Sequence, residues 1–167
     1  THRLIHSDVR FHIFGFCMHH TLFTTARQMH SQYAPPGFPL PPLLFMSDEA
    51  RLPIAEIIPQ LPPDCLVIMR EYTHPKRVQH IEALAKRCRD AGLAYSIAGD
   101  GALAMALEAS ALHVPEHAIP TIPAWRARYP DLPITAAAHS KNAITAAAEA
   151  GATACLCSPV FPTSSHP

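Results

Sequence analysis

The chain has 167 residues, enough for one domain with its own core. Thirteen Lys and Arg balance thirteen Asp and Glu, which argues against binding nucleic acid or anionic membranes through bulk charge. At 49% hydrophobic and 16% charged, the composition is that of a folded chain rather than a disordered one.

Residues 1–42 stand apart from the rest. They hold six of the twelve histidines (His2, His6, His12, His19, His20 and His30) and one acid, Asp8. They end in a Pro-rich run, 34–42, that no helix or strand interior tolerates. His-rich tracts bind metals, but the spacing is irregular and no Asp, Glu or Cys cluster completes a site. The reading is a poorly ordered extension, 1–42, ahead of a domain over 43–167. The apolar stretch 11–23 is interrupted by His12, His19 and His20. It falls short of the ~18 residues of a membrane span and lacks a signal-peptide layout.

From Leu43 a rhythm begins. Short apolar runs cover 43–46, 65–69, 93–98, 111–114, 134–138 and 152–157, each handing over to polar residues. Runs this short and continuously apolar suit strands buried on both faces, as in parallel sheets. Helical patterns lie between them at 53–60, 75–91, 101–110, 121–128 and 141–150. Gly92 and Gly151 act as stops and Ser140 as a cap. Strand–helix alternation predicts an α/β fold with a parallel sheet, closed as a barrel or open and doubly wound.

Five cysteines at 17, 65, 88, 155 and 157 form no CxxC pair. They read as free thiols of a reducing cytoplasm, hence a cytoplasmic protein. Cys155 and Cys157 could ligate a metal, but their alternation around Leu156 suits one face of a buried strand, the favoured reading.

Ligands of parallel α/β folds bind beyond the C-terminal strand ends. The candidates there are Asp48, Arg70, Asp100, His113, Glu116, His139, Thr163, Ser165 and His166. Arg70 leads, because a charge just past a buried run needs a partner or an anionic ligand. The segment Ser158-Pro159-Val160-Phe161-Pro162-Thr163-Ser164-Ser165-His166 follows a buried strand, and its hydroxyls and backbone N–H groups suit a phosphate.

That last segment resembles the G-P-V-F-P-T-x-[ST]-K passage after the sixth strand of thiamine phosphate synthase and TenI-like proteins. Val67-Ile68-Met69-Arg70-Glu71-Tyr72 is similar to the family's V-Q-L-R-x-K. Residues 104–113 match its A-L-A-x-G-A-D-G-V-H in spacing, and His139 matches the His after its fifth strand. The resemblance covers about 43–167 and implies a (β/α)8 TIM barrel. About six βα units fall within the chain, with strands 7 and 8 expected after Pro167. The chain alone would then be an incomplete barrel, inactive and prone to aggregate.

The resemblance implies a transferase that joins hydroxymethylpyrimidine pyrophosphate to a thiazole phosphate and releases pyrophosphate, assisted by Mg²⁺. Alternatives within the same resemblance are a TenI-like thiazole tautomerase and a non-catalytic phosphate-ligand binder. It assigns Arg70, His139 and His166 to catalysis, and Arg70, Thr163, Ser165 and His166 to phosphate binding. For Mg²⁺ it leaves Asp100 and Glu116 as the nearest carboxylates. The partners are small phosphate or pyrophosphate substrates, without nucleic acid or membrane; a homo-oligomer is compatible. The match is partial: Ile68 replaces a Gln, Tyr72 and His166 replace lysines, Ala118 stands in place of a metal-binding Asp, and Ala137 replaces a Ser.

Overall fold

The computed structural model describes residues 8–161, with side chains from Thr21 onward. The chain divides into two compact units at Leu43/Leu44. In the first, α1 runs Asp8–Tyr33. This helix falls within the segment 1–42 that precedes the strand–helix repeats. No proline interrupts 8–33, while Ala34, preceding Pro35, is pushed out of helical conformation. From the last turn of α1, His30 Nε2–H donates to the Leu40 carbonyl at 2.8 Å, and the His30 ring lies 6.0 Å from Phe38.

The expected apolar runs all form strands: β1 (Leu43–Met46), β2 (Cys65–Met69), β3 (Ala94–Ala98), β4 (Ala111–Val114), β5 (Ile134–Ala138) and β6 (Ala154–Cys157). Helices lie between them: α2 (Ile54–Ile57), α3 (Arg77–Asp90), α4 (Gly101–Ala106), α5 (Ile122–Arg128) and α6 (Lys141–Glu149). Two helices are shorter than their sequence patterns. Pro59 turns the end of the α2 segment into a 3₁₀ turn, Ile58–Gln60. The α4 segment stops early because Glu108 takes φ 54° while Ala109 N–H reaches back to the Ala104 carbonyl.

The strands lie side by side in sequence order, β1 to β6, and β2 through β6 pair in parallel. A doubly wound sheet reverses its order at a switch point. This sheet does not, so it is the barrel type, with six strands where a (β/α)8 barrel has eight.

Register sorts the two faces. Tyr95 OH donates to the Leu107 carbonyl and accepts from Arg89 of α3, so its face of the sheet lies under the helices. By pairing, Val67 and Leu112 share that face. The opposite face carries Ile68, Ser96, Ala98, His113 and Thr135. Ser96, His113 and Thr135 are all at or below 1% exposure. A fully apolar run would predict no such buried polar row; within it His113 and Thr135 satisfy each other through a 2.8 Å hydrogen bond.

Candidate functional site

The C-terminal ends of the strands form a rim, and the expected residues fall into three groups along it. At β1–β2, Ser47 is buried and its Oγ accepts the Arg70 N–H at 2.9 Å. The Arg70 Nε–H donates to the Ser47 carbonyl at 3.1 Å. Arg70 Nη2 lies 3.9 Å from Asp48, which also meets Arg51 Nε at 3.3 Å. The guanidinium is therefore held by the neighbouring strand end, with 37% of its side chain still exposed.

At β2–β3, Asp100 caps α4 by accepting the Leu103 N–H at 2.9 Å. Its other oxygen takes Arg77 Nη1 at 3.1 Å, and Arg77 Nη2 donates to the Ala98 carbonyl at 2.7 Å. At β4–β6, Glu116 accepts the backbone N–H of His139. The His139 Nδ1–H donates to the Ser158 carbonyl at 2.6 Å. That bond places a proton on Nδ1. Thr163, Ser165 and His166 lie outside the described residues.

His113 sits below the rim rather than on it. It is buried, with Nδ1 2.8 Å from Thr135 Oγ1. Burial, and secondarily the Arg70 charge, lower its pKa from 6.5 to about 4. It is a neutral core histidine at ordinary pH.

The carboxylates expected near Mg²⁺ do not assemble a ligand set. Asp100 has both oxygens engaged, and one Glu116 oxygen accepts the His139 N–H. Among the described residues no three His, Cys, Asp or Glu converge on a metal position. Asp100 and Glu116 are the rim carboxylates that would meet the ion, and no step below is routed through it.

Two rim residues carry more than their sequence suggested. Arg77 reads as one cation among several on a helix surface, yet it ties α3 to β3 and Asp100; a contact across 23 positions has no local signature. Tyr72 reads only as a replaced lysine. It lines a cleft of about 540 Å³ together with Ser47, Asp48, Glu49, Arg70 and His74.

The model of the thiamine monophosphate synthase (TMP-TENI) family matches residues 65–167. The chain belongs to this family. No curated protein matches it significantly. A solved structure of the family's fold, thiamine phosphate pyrophosphorylase from Pyrococcus furiosus, aligns with a TM-score of 0.62 at 21% identity. The alignment covers 74% of this chain and 63% of that one, so the chain spans less than two thirds of that relative. At this identity the likeness speaks for the fold. In this thiamine monophosphate synthase family member, Arg70 and Arg77 of the rim each lie beside a carboxylate.

Proposed function

We propose that the chain acts in thiamine biosynthesis as a thiamine phosphate synthase, joining hydroxymethylpyrimidine pyrophosphate to a thiazole phosphate. The observation that carries this reading is Arg70, fixed at the C-terminal end of β2 by Ser47 and still open to a ligand. In this reaction the bond from the pyrimidine methylene carbon to pyrophosphate breaks and the thiazole nitrogen bonds to that carbon. Negative charge grows on the departing oxygen, and a preorganised guanidinium stabilises it without moving. Thr163, Ser165 and His166 would supply further contacts to the phosphate. The test is genetic: the intact gene rescues a thiamine-requiring strain, and Arg70→Ala in it abolishes rescue. Absence of rescue by the unaltered intact gene rejects the synthase.

A second reading has its own support. His139 is oriented through Ser158 and Glu116, as a general base must be. A TenI-like tautomerase acting on a thiazole carboxylate phosphate needs that group more than it needs a pyrophosphate site. Isomerisation that disappears in His139→Gln while ligand binding persists would select it.

A further inference from the structure

We infer that Tyr72 is a stacking platform for the planar ring of a phosphate-bearing ligand whose phosphate lies on Arg70. This deepens the reading above, since it rests on Arg70 as the phosphate contact. The Tyr72 N–H donates to the Arg70 carbonyl, turning the chain within three residues so that both side chains line one cleft. The ring rests against Gly99, where a β-carbon would stand 3.1 Å from Tyr72 Cε1. Gly99 also has φ +69°, so a larger residue there is disfavoured twice. Half of Tyr72, 48%, remains exposed. Burial raises the phenol pKa, while the Arg70 and Arg77 charges oppose the rise and Glu71 adds to it. Both guanidinium groups therefore act on this ring.

Charge explains why the ring matters. Asp48, Glu49 and Glu71 line the cleft with Arg70. Against three carboxylates one arginine holds a bare phosphate weakly, so a flat surface beside it decides affinity. A volume near 540 Å³ suits a ligand of one ring and one phosphate.

The experiment titrates the full chain with phenyl phosphate and with ethyl phosphate, which match in charge and differ in the ring. Phenyl phosphate is expected to bind about tenfold tighter, the scale of one aromatic stack. Tyr72→Phe keeps that advantage, Tyr72→Ala removes it, and Arg70→Ala weakens both ligands. Circular dichroism verifies that the variants fold. Equal affinities in the unaltered chain, binding of neither, or an advantage that survives Tyr72→Ala overturns the inference. A thiazole phosphate tried in parallel separates the two readings. If it fails while the ring advantage holds, the thiazole assignment falls and the platform stands.

Discussion

At the scale of single residues, His113 links the rim to stability. Its pKa is about 4 in the folded chain against 6.5 ordinarily. Between those values the unfolded chain binds the proton more readily, so stability rises with pH. The contribution is complete above pH 6.5 and is lost as pH falls towards 4, on the order of 3 kcal/mol in all. Urea denaturation at pH 7 and pH 4.5 tests this. The His113→Gln variant should lose less stability between the two pH values than the unaltered chain, by roughly 2 kcal/mol. An identical loss would assign the acid sensitivity to other groups. Arg70 was legible in the sequence because a charge after Cys65–Met69 has few other uses. Tyr72 and Arg77 were not, since their meaning comes from Gly99 and Asp100 on the next strand's loop.

At the scale of elements, the helices are placed by small residues as much as by apolar stripes. Ile81, Leu84, Ala85 and Cys88 make the buried face of α3. The α4 helix depends on Gly101, where a β-carbon would stand 2.3 Å from Trp125 Cζ2. Neither the ring nor the helix start can yield without repacking. Gly101→Ala should therefore destabilise by about 1–3 kcal/mol, the usual cost of overpacking, and lower the thermal midpoint. An unchanged midpoint would mean that Trp125 relocates freely. The caps were readable from the chain: Ser140 accepts the Ala143 N–H at 3.1 Å, as its position before 141–150 implied. Asp100 capping α4 was not anticipated, because the same carboxylate also suited a metal.

At the scale of the whole sheet, burial is graded. Every residue of β2 is buried, while β6 is half-buried to exposed. Amide exchange follows the free energy of local opening. The slowest amides should lie in β2 and β3 and the fastest strand amides in β6; uniform protection would contradict the gradient. The apolar runs alone determined the strands, the alternation with helices and hence the α/β class, because burial on both faces demands continuous apolar residues. They also indicated which end of each strand carries polar residues. Barrel or open sheet was decided only by the strand order, which is long-range pairing and leaves no local mark. The same holds for the site. Arg70, Asp100, Glu116 and His139 were nameable from the chain, but which of them stay open to a ligand depends on partners across strand ends. Asp100 is closed by Arg77, His139 is oriented by Ser158 and Glu116, and Arg70 is held by Ser47. Those contacts exist only once the strands lie side by side.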